Sequence, residues 1–279
     1  MGVAIDTITA FKDSLTGSAF EALAAGSGDS LTLRFLDANA EIRLLEAWGA
    51  NNATKCDFGI RSPLLHDNTR GIRFAHMFNP TQSGADGNPQ LYMSPYEFQR
   101  YRPSDTLTVE ALGAASDDVT FTQLVWYEGP GVPDSRFATY DEVIRRAVNL
   151  VGIRVSPAAA ASTSTYGTAE AINADDDRLK ANTWYALIGH TTDLPHTTLT
   201  IKGPETGNLR VPMPGSQIEQ ITAGWFLELA RRFQRRMVPC FNANNKANIF
   251  VEVADAGGGT TPLTSLKFLE LDGQPSFGF

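Results

Sequence analysis

Four histidines stand at positions 66, 76, 190 and 196. A metal centre calls for two or three imidazoles at helical or hairpin spacing, with a carboxylate to orient them. His66 beside Asp67, and His190 and His196 flanking Asp193, fall in segments that read as loops, where solvated or hydrogen-bonded histidines are the ordinary case. Asp175, Asp176 and Asp177 could offer oxygens to a hard cation. Three consecutive acids do not point one way, however, and no EF-hand glycine and glutamate follow, so they read as a solvated turn. Cys56 and Cys240 lie in apolar, strand-like surroundings without a basic neighbour pattern, which marks buried, inert thiols. The chain has no GxxxxGK[ST] phosphate loop, no GxGxxG after a strand, no HExxH and no GxSxG elbow. The expectation is a protein with no catalytic residue, no metal centre and no cofactor.

Two further groups suggest contact rather than chemistry. Arg231, Arg232, Arg235 and Arg236 cluster on a segment running from about Thr222 to Met237, which reads as a helix. Trp225, Phe226, Leu229 and Phe233 form its apolar stripe, so the arginines spread over the remaining surface. They suit an acidic neighbouring subunit, phosphate or lipid head groups, or simply water. Tyr92, Tyr96, Phe98, Tyr101, Trp126 and Tyr127 could stack on a glycan if several rings were exposed on one face, although core packing serves them equally well.

The elements that must position these groups follow from patterning. Of 279 residues only 19% are charged, against roughly 25% in an ordinary soluble protein, which suggests that part of the surface is covered by something else. A net charge of −8 argues against coating a nucleic-acid backbone, and no sequence-specific nucleic-acid binding is expected. No apolar run approaches a membrane span, and the N-terminus lacks the pattern of a signal peptide. Ile5, Ile8, Phe11, Leu15, Phe20 and Leu23 recur near helical spacing, which predicts a helical arm over residues 1–28. From Asp29 the chain becomes short alternating segments separated by Asn, Gly, Pro and Asp, the pattern of an antiparallel sandwich or barrel, which predicts a first barrel over 29–134. Residues 135–180 read as a helix, marked by Tyr140, Val143, Ile144, Ala147 and Val148, followed by a small, polar linker. A second barrel is predicted over 181–279.

The two halves resemble one another. Gly59–Pro63 matches Thr200–Pro204 at an offset of 141, and Gly71–Phe74 matches Asn208–Val211 at 137. Leu107–Ala111 matches Ile249–Val253, and Leu124–Glu128 matches Leu266–Glu270, both at 142. Each half carries an aromatic, Arg-containing insertion between its second and third blocks: PYEFQRYRP in one, WFLELARRFQRRMVP in the other. Four collinear matches predict an internal duplication.

These paired blocks, IRSP, GIRF, LTVEAL and LVWYE against IKGP, NLRV, IFVEV and LKFLE, resemble the double jelly-roll major capsid proteins of tailless, often membrane-containing viruses. The resemblance implies an all-β fold of two tandem jelly-roll-like antiparallel barrels with short helices. It also implies a non-enzymatic virion protein, made in the host cytoplasm, that self-associates as trimers of near-hexagonal outline into a shell. Its partners would be further copies, other virion proteins, and an internal membrane or genome-proximal layer. Phe11, Leu15, Arg231, Arg232, Arg235 and Arg236 are then the candidate assembly contacts. A decoration or spike protein of a phage or other virus, and a tandem-sandwich carbohydrate-binding module, are the alternatives.

Overall fold

The computed structural model describes the whole chain apart from residues 27, 35–36, 52–55, 66–70, 76–91, 94–100, 159–164, 195, 216–221, 256–260 and 278–279. The first half contributes β1 (Gly2–Lys12), β2 (Glu21–Ala22), β3 (Ala24–Ala25), β4 (Glu41–Asn51), β5 (Asp57–Arg61), β6 (Ile72–Ala75), β7 (Tyr92–Met93), β8 (Thr108–Leu112) and β9 (Val119–Gly129). The second half contributes β10 (Phe137–Ala138), α1 (Tyr140–Arg146), β11 (Ala147–Val155), β12 (Glu170–Ala171), β13 (Trp184–Thr192), β14 (Thr198–Lys202), β15 (Val211–Pro214), α2 (Trp225–Phe233), β16 (Val238–Asn242), β17 (Phe250–Ala254) and β18 (Thr264–Leu271).

Every strand pairing between these elements is antiparallel, and each half folds its strands into two facing sheets. In the first half the sheets run β3-β1-β9-β4-β7 and β2-β8-β5-β6; in the second they run β11-β18-β13-β16-β10 and β12-β17-β14-β15. Shifted by one place, so that β3 and β10 at opposite ends stay unmatched, the five-stranded orders correspond: β1 to β11, β9 to β18, β4 to β13 and β7 to β16; the four-stranded orders β2-β8-β5-β6 and β12-β17-β14-β15 correspond throughout. The fold is all-β, two tandem jelly rolls. Even an irregularity is shared. Leu45 and Glu46 on β4 bulge opposite Leu124, and Ile188 with Gly189 on β13 bulge opposite Lys267.

Register refines the sequence matches. Ile60 pairs with Ile72 and Val109, while Ile201 pairs with Val211 and Val251, which confirms the first and third matched blocks. The same pairs place Ile72 opposite Val211 in the duplication, two positions from the sequence match. The shared bulge sets β9 against β18 at an offset of 143, one position away from the matched letters. A one-residue slip in a strand exchanges its faces, so the alternation of side chains fixes this position more firmly than the letters do.

Residues 1–28 form no helical arm. β1 pairs with β9 along its whole length, from Gly2–Gly129 to Lys12–Val119. Its even side chains Ala4, Ile8 and Ala10 enter the core of the first barrel, while Val3 and Ile5 enter the cluster that includes the second. A strand buried on both faces shows no apolar/polar alternation, and Ile5 with Ile8 then imitates a helical step. The helix expected after residue 135 is also shorter than its pattern. It opens on a Thr139 cap that accepts from the Glu142 amide and ends at Arg146, beyond which Ala147–Val155 is strand β11. The predicted helix near 222–237 is present as α2.

Candidate functional site

The most developed polar and apolar constellation lies where the two barrels meet. The strands β1, β9 and β4 of the first barrel turn Val3, Ile5, Leu45, Trp48, Leu124 and Trp126 outward, away from their own core, into one buried cluster with the second barrel. The second barrel meets them with β15, an edge strand, and with α2. Trp48 and Trp225 pack edge to face with ring centroids 5.7 Å apart. Each indole is satisfied: Trp48 donates to the Thr197 carbonyl at 2.9 Å, and Trp225 to the Pro212 carbonyl at 3.1 Å. Thr7 Oγ1 donates to the Arg210 carbonyl at 2.7 Å, and the hydroxyls of Thr122 and Thr198 lie 2.6 Å apart.

The arginine run belongs to this seam. Arg232 Nη2 lies 2.8 Å from Oε1 of the fully buried Glu46. Arg235 stacks its guanidinium 4.2 Å above the Trp126 ring and reaches Glu41 at 3.4 Å and Glu128 at 3.8 Å. Arg236 donates to the carbonyls of Met1, at 3.1 Å, and Phe277. Arg231 instead faces solvent, paired with Glu228 at 2.8 Å within the helix. Of the six expected assembly contacts, Leu15 is a buried core residue of the first barrel and Phe11 is half-buried on β1, opposite Thr120 and Ala24. The structure thus brings Arg232, Arg235 and Arg236 together against the first barrel of their own chain and leaves Arg231 outside.

A second polar knot closes the other side of the seam. Arg210 holds Asp29 at 3.0 Å and Glu252 at 2.6 Å, with its guanidinium 4.1 Å over Tyr166, whose hydroxyl donates to Asp29 at 3.1 Å. Nearby, Arg34 reaches Asp6 at 2.7 Å. Burial pushes the Asp6 carboxyl up to about 7 against the pull of Arg34, and the Glu46 carboxyl up to about 8 against that of Arg232. Both carboxyls therefore keep their protons to a higher pH than an exposed carboxyl does. Each buried large side chain contributes on the order of 1.5–3 kcal/mol. Buried charged contacts come close to cancelling their own desolvation and serve mainly to fix one geometry.

Nothing in the sequence pattern points to Trp48, Glu46 or Arg210 as seam residues. Their signal is the near-continuous apolar run of β4 and β9, which reads as a doubly covered strand only once both neighbours are known.

The histidines take places the sequence does not suggest. His190 lies on strand β13, and both His190 and His196 are wholly buried, with ring centroids 6.0 Å apart. Their backbone pairing to β18 and to Gly215, respectively, draws them inward from the expected loop. Burial holds both imidazoles below the usual histidine range, that of His190 further lowered by His196. Among the described residues no group of three or more His, Cys, Asp or Glu side chains is placed to hold a metal ion. Asp176 pairs with Arg178 at 3.0 Å and Asp177 with Lys246. Cys56 and Cys240 are free and buried, and burial pushes the Cys56 thiol up to about 12. Tyr101, Trp126 and Tyr127 are buried, so they offer no exposed stacking face. His66, Asp67, His76, Tyr96 and Phe98 lie outside the described residues.

No protein-family model matches the chain, and no curated protein matches it. Among solved structures it is similar to the crystal structure of the STIV MCP, at 8% identity and a TM-score of 0.22, over 97% of this chain and 96% of that one. It is also similar to a chain in the atomic structure of Sulfolobus Turreted Icosahedral Virus, at 9% identity and a TM-score of 0.21, over 96% of this chain and 82% of that one. What assigns the fold is the strand order and register described above: two jelly rolls of one topology, joined face to edge.

Proposed function

We propose that the chain is a non-enzymatic virion protein, a capsid subunit that works by self-association. The observation that carries this reading is the shared strand order of the two barrels, eight strands of one matching eight of the other. A subunit made of two equivalent barrels presents two equivalent footprints, so three copies give six barrels and a near-hexagonal outline that tiles a shell. Standing barrels side by side also covers sheet edges that would otherwise pair indiscriminately. The low charged fraction of the chain and the exposed apolar residues on α1 and β11, Ile144, Val148 and Leu150, suit a protein whose flanks are covered by neighbours. Other virion proteins would be its further partners and the virion its place of action.

Negative-stain imaging of the purified full-length chain tests the reading. Discrete particles of near-hexagonal outline, or sheets and shells built from them, are the expected result. A field of single two-barrel particles at every concentration would overturn it and favour a decoration role.

A further inference from the structure

The two barrels differ at one place where their registers overlay residue by residue. Lys202 on β14 pairs with Phe250 on β17, and Arg61 on β5 pairs with Thr108 on β8, so Lys202 stands where Arg61 does and Phe250 where Thr108 does. Two residues along the same face, Glu252 corresponds to Glu110. In the first barrel Glu110 pairs with Arg61 at 3.6 Å and with Arg73 at 3.1 Å. In the second, Arg210 holds Glu252 at 2.6 Å instead, and Lys202 has no ion pair or hydrogen bond among the described residues. Val251 and Val253 point into the core, so Phe250 and Glu252 lie on the outer face of their sheet. Among the described residues Phe250 is the one exposed aromatic side chain, at 37%. With Gly203, Asn208 and Asn248 these side chains line a cleft of about 390 Å³. That lies within the roughly 300–1,000 Å³ of small-ligand sites. One wall is a turn held in place from within: the Asn208 amide donates to the Gly203 carbonyl at 2.8 Å, and the Thr206 hydroxyl accepts from the Gly203 amide at 3.1 Å. The side-chain amides of Asn208 and Asn248 are exposed and make no hydrogen bond among the described residues.

We infer that this cleft binds an acidic pyranose of a glycan, a uronic or sialic acid. A pyranose presents an apolar C–H face and a rim of hydroxyls, with a carboxylate where the sugar is acidic. Phe250 supplies a flat apolar surface for the first. Asn208 and Asn248 each supply a carbonyl acceptor and an NH2 donor, which matches hydroxyls that both donate and accept. Lys202, a cation without a carboxylate of its own, meets the acid. Glu252 opposes it little, because its two oxygens face Arg210 at 2.6 and 3.5 Å. A free phosphate would use Lys202 and leave the ring idle, whereas a wholly apolar ligand would strand both amides. The corresponding surface of the first barrel has neither the ring nor the unpaired cation, so the site belongs to the second barrel alone. The inference is independent of the self-association reading.

Calorimetric titration of the full-length chain with 3′-sialyllactose, a hyaluronan tetrasaccharide and lactose tests it. At low salt at least one of the two acidic saccharides is expected to bind at least tenfold more tightly than lactose, and that advantage should shrink as salt screens Lys202. Which of the two binds tells whether the acid is sialic or uronic. Phe250→Ala and Lys202→Gln should each weaken binding at least fivefold with the thermal unfolding midpoint unchanged. Lys202→Gln should also bring the acidic saccharide down towards lactose, which a merely structural change would not do. Should Phe250→Ala unfold, Lys202→Gln and Asn248→Ala decide, since neither removes an internal contact. The inference is overturned if neither acidic saccharide binds, if lactose binds as tightly, or if these substitutions leave the affinity unchanged.

Discussion

Trp225 and Trp48 show how much a single residue carries. Trp225 is the contact through which α2 is held at once by β15, via the Pro212 carbonyl, and by the first barrel, via the Trp48 ring. Trp225→Ala should cost on the order of 3–5 kcal/mol, the range for emptying a large aromatic site. Thermal unfolding reads this directly, and an unchanged midpoint would show that the helix is held elsewhere. Glu46 gives a pH signature. Its folded carboxyl titrates at about 8, above the ordinary glutamate range, so between about pH 4.5 and 8 the folded chain keeps a proton that the unfolded chain has lost. Stability therefore falls as pH rises through that window, by up to about 1.4 kcal/mol per pH unit for this group. Asp6 adds the same trend up to about pH 7. Glu46→Gln should flatten the slope in unfolding experiments from pH 5 to 9; an equally steep slope would mean that Arg232 keeps the carboxylate charged. His190 and His196 act oppositely. Held neutral by burial, they must gain protons to unfold into acid, so stability drops as pH falls below the ordinary histidine value near 6.5. Cys56 and Cys240, by contrast, were legible as buried from their apolar setting alone.

At the scale of elements, legibility tracked how many faces of a strand are covered. β5, β8, β14 and β17 alternate or sit between clear turns, and their sequence matches locate the duplication. β1 defeats the same reasoning because Val3 and Ile5 face one barrel while Ala4 and Ile8 face the other. β11 defeats it differently. Thr139, Asp141 and Glu142 start a helix, the apolar residues after Arg146 continue its spacing, and only pairing with β18 draws them into a strand. The corrected place of β1 changes an expectation. Removing residues 1–12 takes a whole strand from the first barrel and uncovers the hydrogen-bonding edge of β9. The truncated chain should then lose cooperative unfolding altogether. A truncated chain with native circular dichroism and an unchanged midpoint would return these residues to the role of a detachable arm. The arginine run was legible as a contact surface on a helix, but not its partner. Glu46 and Trp126 lie far away in sequence, and only the packing of the two barrels brings them under Arg232 and Arg235.

For the molecule as a whole, two barrels of one topology are joined by a seam whose chemistry is apolar at the centre and charged at both rims. Arg232, Arg235 and Arg236 lie on one rim, with Arg210, Asp29 and Glu252 on the other. That arrangement makes the pair of barrels a single cooperative unit, and calorimetry should show one unfolding transition rather than two; two separated transitions would mean that the seam contributes little. The central claim is that this chain completes itself by association with further copies. Light scattering on the purified full-length chain across a concentration series tests that claim most directly. A mass of three chains, or larger particles that are multiples of it, is the predicted result. A mass of one chain, 30.2 kDa, at every concentration would contradict it.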